Sequence, residues 1–168
     1  MPISTQLVKT LVQIPIFGGL TLEEAADFFE AAVETNVAKD ATLFREGDDG
    51  DTLLVILEGE VQITRKGVEL ARLGKHLVLG EMSLMGEGEV RSATATALQD
   101  LKLLTVPSKR VQKMLKEDRG AALKVVANLA QVMSRRLAAI NDRLVSLSAG
   151  QKKEELADFG RILTTWQF

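Results

Sequence analysis

Leu79–Ala93 reads LGEMSLMGEGEVRSA, and the rest of the chain makes sense as a scaffold for it. Glu81 and Arg91 are separated by a short segment punctuated with glycine, and apolar runs of strand type lie on either side. Gly80 lets backbone approach a ligand closely. If the residues after it begin a helical turn, the amides of Glu81, Met82, Ser83 and Leu84 point outward and can bind an anion. Arg91 adds a planar, permanently charged fork for phosphate oxygens, and Ser92 adds a hydroxyl beside it. Glu81 can accept hydrogen bonds from a sugar hydroxyl. Phosphate and ribose are therefore the expected ligand pieces. The competing reading of the same residues is a Glu81–Arg91 surface ion pair at the start of a short helix, which is worth little.

These residues resemble the phosphate-binding cassette of the cyclic-nucleotide-binding domain family. The cassette has the form Gly-Glu, a hydrophobic residue, a small residue and Leu, then variable positions and Arg-Ser/Thr/Ala-Ala. Gly80-Glu81-Met82-Ser83-Leu84 and Arg91-Ser92-Ala93 match it. The resemblance implies that Glu81 takes the ribose 2'-hydroxyl, that Arg91 and Ser92 take the cyclic phosphate, and that the Met82 and Ser83 amides complete the cradle. One departure is Leu79, where the family often has Phe, which changes the wall of the site without removing a polar contact. The stretch IPIFGGL, Ile14–Leu20, also resembles the start of this module, with a bland packing role as its plainer reading.

Composition narrows the alternatives. A chain of 168 residues with 46% hydrophobic residues can bury a core of its own. No apolar run reaches about eighteen residues and no charged-then-apolar leader precedes residue 20, so a soluble cytoplasmic protein without membrane contact is expected. Zero cysteines and one histidine, His76, leave no thiolate chemistry and little for a metal, and no nucleophile–base pair stands out. No catalytic residue, metal or cofactor is expected. His76 reads as a surface or hinge side chain. The acidic run Glu46-Gly47-Asp48-Asp49-Gly50-Asp51 lacks the spacing of a calcium loop and reads as a solvated turn.

Periodicity predicts an α+β fold: a small antiparallel β-barrel or jelly roll preceded by helices and followed by a long one. Thr5–Gln13 has helical spacing, and Thr21-Leu22-Glu23-Glu24 has capping-box form at the head of a helix running to about Ala32. Candidate strands are Thr42–Phe44, Leu53–Leu57, Val61–Thr64, Val68–Leu73, Leu77–Val78, Ser92–Ala97 and Leu101–Val106. Pro107 ends the strands, and Ser108 is a candidate cap for a helix over Lys109–Leu115. The expected division is 1–116 for the sheet domain with its N-terminal helices, 117–148 for a long helix and 149–168 for a short helical segment. Trp166 in that last segment is expected to pack rather than to stack on a base.

Along the long helix Val126, Ala130, Met133, Leu137, Ile140, Leu144 and Leu147 recur at alternating intervals of four and three. That is a coiled-coil seam, and a homodimer through 126–147 is expected. In the family this helix also closes over the nucleotide. The resemblance thus adds Arg136, Ile140 and Asn141 as ligand-facing residues, with Asn141 able to read a base edge and Ile140 unable to.

Residues 1–107 carry 9 Lys and Arg against 17 Asp and Glu, whereas residues 108–168 carry 12 against 6. The basic side chains Arg135, Arg136, Arg143, Lys152 and Lys153 are interspersed with acids and lack aromatic platforms, so a solvated helix face is favoured over a nucleic-acid surface. The expected function is a stand-alone regulatory sensor for a 3',5'-cyclic nucleotide, cyclic AMP ahead of cyclic GMP, relaying occupancy through its C-terminal helices to an unknown protein partner. The alternative is a ligand-free dimerisation scaffold that keeps the fold.

Overall fold

The structure, a computed structural model, describes residues 3–84 and 90–148. Leu147 as a side chain, the variable centre of the cassette and the whole of 149–168, Trp166 included, lie outside the described residues.

Two short helices open the chain. Ser4 accepts a hydrogen bond from the Leu7 amide and caps α1, Thr5–Leu11. The Thr21–Glu24 capping box forms as its sequence requires and starts α2, Leu22–Phe28, which ends several residues before Ala32. Between them the proline at Pro15–Phe17 favours a single tight 3-10 turn.

Eight strands follow among the described residues: β1 Val33–Val37, β2 Thr42–Phe44, β3 Thr52–Glu58, β4 Val61–Arg65, β5 Val68–Leu73, β6 Val78–Leu79, β7 Thr94–Ala97 and β8 Leu101–Pro107. They pair antiparallel in two four-stranded sheets, ordered β1-β8-β3-β6 and β2-β7-β4-β5. The jelly-roll expectation holds, as two sheets and not as a closed barrel. Leu54, Ile56, Leu101 and Leu103 of the first sheet and Val61, Ala95 and Ala97 of the second form one apolar cluster. The opposite parity of β3, Leu53, Val55 and Leu57, is buried as well. This explains why the strand reads as an unbroken apolar run. Val33–Val37 was not among the expected strands. It is an edge strand, and four of its five residues are exposed, so it has no alternation to read.

The helix α3, Ser108–Lys116, starts one residue earlier than expected. Its N-cap is Pro107, with no side-chain capping bond, so Ser108 lies inside the helix and not at its cap. The long helix α4 runs from Gly120 to Ser148. Contacts divide the chain into a unit ending at Leu129 and a second beginning at Ala130, inside α4. Within the first unit Asn128 donates to the carbonyls of Ile16 and Gly18, at 3.2 and 2.8 Å, and Lys124 pairs with Glu24 at 2.8 Å. Asp27 of α2 takes both Arg110 of α3 and Arg119, which precedes α4. Among the described residues no helix is long and apolar enough to cross a membrane.

Candidate functional site

The cassette connects the two sheets. Leu79 pairs with Leu54 as the last residue of β6, and Glu81–Leu84 follow as a 3-10 turn. Gly80 joins them with φ +73, a left-handed conformation that L side chains adopt at a cost. A methyl group there would clash with Arg91 Nη1 and stand 2.6 Å from the Thr52 carbonyl oxygen. Glycine is thus required twice, by the backbone and by the arginine packed on it. Gly80→Ala is expected to destabilise the fold by at least about 1 kcal/mol from backbone strain alone, read as a lower midpoint in urea. An unchanged midpoint would mean that the turn adopts another conformation.

Arg91 is 6% exposed, so it is not half of a surface ion pair. Its guanidinium donates from Nη1 to the Thr52 carbonyl at 3.0 Å and from Nη2 to the Thr52 hydroxyl at 2.8 Å. It also stacks 4.3 Å from the centre of the Phe44 ring. Its Nε is buried and has no hydrogen-bond partner among the described residues. Burial draws the guanidinium pKa below its ordinary value, and Asp51, Asp48 and Glu81 work in the opposite direction. Arginine stays charged at physiological pH, and the Nε donor of this one is unmatched among the described residues.

The backbone of Arg91 is clamped as firmly as its side chain. Its amide donates to the Asp48 carbonyl, and its carbonyl accepts from the Gly47 amide, both at 2.8 Å. The acidic run is the exposed turn expected from sequence, and its backbone also braces the arginine. Among the described residues no group of three or more His, Cys, Asp or Glu could hold a metal. A cavity of about 330 Å³ lies between the sheets, with Phe44, Leu54 and Leu103 as apolar wall and Asp51, Thr52 and Arg91 as polar wall. Of the residues chosen from sequence, Arg91 alone lines it.

Several other expected site residues have different surroundings from those expected. Leu79 is buried in the cluster with Leu54 and Ala95, as a core residue. The Ser83 amide, expected to face the ligand, donates to the Gly80 carbonyl at 3.1 Å, and its hydroxyl donates to the same carbonyl at 2.7 Å. Ser83 shapes the turn from inside. Glu81 opens the turn and is partly buried, Met82 and Ser92 are exposed, and Ala93 is partly buried. Arg136, Ile140 and Asn141 are exposed residues of α4 in the second unit. Thr52 and Phe44, which hold the arginine, were not picked out from sequence.

A glycine cradle beside a buried arginine is joined by a match along the chain. The profile of the cyclic nucleotide-binding domain covers residues 34–118, which include both halves of the cassette. The chain belongs to the cyclic nucleotide-binding domain family. It is 34% identical over 155 residues to the cyclic AMP receptor protein of Thermus thermophilus, a match covering 85% of this chain and 66% of that protein. It is 27% identical over 140 residues to glutaminase 1 of Bradyrhizobium diazoefficiens, covering 83% of this chain and 22% of that one. The chain thus spans less than two thirds of either relative's length. Among solved structures, a cyclic nucleotide-binding domain from Methylobacillus flagellatus superposes with a TM-score of 0.74 at 27% identity, covering 84% of each chain.

Proposed function

We propose that the domain binds a 3',5'-cyclic nucleotide, cyclic AMP ahead of cyclic GMP, and relays occupancy through its C-terminal helices. The observation that carries this reading is Arg91: a buried guanidinium with an unpartnered Nε, packed on a glycine in the left-handed region. A buried cationic donor without a full set of acceptors is costly in a free protein and favourable once an anion arrives. Its geometry also suits phosphate. Nη1 can stay on the Thr52 carbonyl while Nε and Nη2, on one edge of the fork, meet two phosphate oxygens, Nη2 exchanging the Thr52 hydroxyl for a charged acceptor.

The name of the Thermus relative supports cyclic AMP. The role is binding, without catalysis, in the cytoplasm. A ligand shifts the helices only by the difference in its affinity for their two arrangements, so the relay requires contacts made in one arrangement and lost in the other. Titration calorimetry with cyclic AMP and cyclic GMP tests the reading directly. Absence of heat with both would leave the ligand-free scaffold.

Glu81 offers a separate test. Glu81→Gln is expected to reduce affinity for the cyclic ribonucleotide more than for its 2'-deoxy analogue, because only the former presents the hydroxyl that a carboxylate accepts. Equal losses for both ligands would place Glu81 in the architecture of the turn.

A further inference from the structure

The described residues bury three polar or charged side chains in all: Ser83, Arg91 and Ser108. Arg91 has its reason in the site. The two serines are 1% and 3% exposed and belong to different elements, the cassette turn and the first turn of α3. They are joined in a directed chain: the Ser108 hydroxyl donates to Ser83 Oγ at 2.9 Å, and the Ser83 hydroxyl donates to the Gly80 carbonyl at 2.7 Å. Each donor polarises the next, and a buried hydroxyl left without its partner is expensive.

Ser108 has a second attachment. Its amide donates to the Asp51 carbonyl at 2.9 Å, at the residue before Thr52, whose carbonyl and hydroxyl hold the Arg91 guanidinium. One residue thus grips both sides of the site: through its hydroxyl the turn, and through its amide the strand end that carries the arginine. Its hydroxyl does not cap the helix it begins.

We propose that Ser108 is a positioning residue for the phosphate site, setting the spacing between the Gly80–Ser83 turn and the Thr52–Arg91 pair from the first turn of α3. The proposal rests on the reading of the domain as a cyclic-nucleotide sensor. It also gives α3 a means of responding to the ligand, because a turn that tightens on phosphate pulls on the Ser83–Ser108 bond. Arg110, in the same helix, is tied to Asp27 of α2 at 2.9 Å, so a displacement of α3 is felt there too.

The test uses the full chain and the variants Ser108→Ala, Ser83→Ala and the double variant, titrated with cyclic AMP and followed by hydrogen exchange. Each single change is expected to weaken binding about tenfold, and the double change by no more than about the same factor, since all three remove one chain. Exchange should quicken at residues 80–84 and remain unchanged in β4 and β7. A bond of structural value only would lower the melting temperature and leave affinity at the wild-type value, which overturns the proposal. Losses that multiply to about a hundredfold in the double variant would show two independent serines and also overturn it. If wild type binds neither cyclic AMP nor cyclic GMP, the sensor reading itself falls and takes the positioning role with it. Should Ser108→Ala fail to fold, Ser83→Ala decides alone, since it breaks the same hydroxyl chain from the other end and leaves residue 108 unchanged: a tenfold loss supports the role and wild-type affinity removes it.

Discussion

Replacing Arg91 with alanine is expected to cost about 2 kcal/mol or more of cyclic-nucleotide affinity, roughly thirtyfold, while leaving the domain folded. The loss follows from what remains: a phosphate drawn into a pocket whose charged donor is gone must shed water without a replacement. Stability should respond differently. Burial already draws the guanidinium below its ordinary pKa, which means that the folded free state holds this charge at a cost only partly relieved by Asp51, Asp48 and Glu81. Alanine removes that cost but leaves the Thr52 carbonyl without the donor it has at 3.0 Å and opens space beside Phe44. The two effects oppose each other, so the unfolding midpoint should move little while affinity falls steeply. Titration calorimetry paired with a urea melt reads both quantities. Equal affinity in wild type and variant, with both clearly binding, removes Arg91 from the phosphate site. A large loss of stability would instead make it a core residue.

The separation of these two roles shows where the sequence was legible. Gly80, Glu81 and Arg91 could be picked out because they stand together in one short stretch that resembles the family's cassette, and the close backbone approach expected at Gly80 is seen where Arg91 packs on it. The hairpin of β4 and β5 was readable because the two alternating runs Val61–Thr64 and Val68–Leu73 follow each other closely in sequence, and α2 because its capping box is local. What holds Arg91 was not readable. Thr52 lies 39 residues away in sequence, and its carbonyl contribution is independent of residue type. Phe44 looked like any strand aromatic, and Asp48 braces Arg91 through its backbone carbonyl as well as by its charge. Ser108 was misread for a related reason. A serine after a strand-ending proline has the form of a cap, and only the tertiary approach of Ser83 directs its hydroxyl elsewhere. The edge strand β1 was missed because its pairing with β8 rests on backbone hydrogen bonds that leave both faces of Val33–Val37 largely in solvent.

Ile140→Asp is expected to abolish self-association, at a cost of about 3 kcal/mol or more for a carboxylate buried opposite its symmetry mate. The dimer it tests is itself a proposal, and α4 supplies its physical basis. Leu137 is 59% exposed and Ile140 is 55% exposed, and both stand in the register that began at Val126. Alternating intervals of four and three keep such residues on one stripe, and a helix that leaves Leu137 and Ile140 in water forgoes apolar burial a second copy could supply. A parallel two-fold pairing brings Ile140 against its own counterpart, so one substitution places two like charges in the interface at once. Neutralising them would require protonation far from the ordinary range of an aspartate. Because the resemblance also assigns residue 140 to the base, nucleotide affinity should fall along with dimerisation. Met133→Asp, earlier on the stripe and outside the ligand-facing set, should weaken the dimer with less effect on binding. Sedimentation equilibrium decides the matter. A wild-type chain that stays monomeric at high micromolar concentration, with and without cyclic AMP, rules out the pairing and leaves the stripe to a different partner surface.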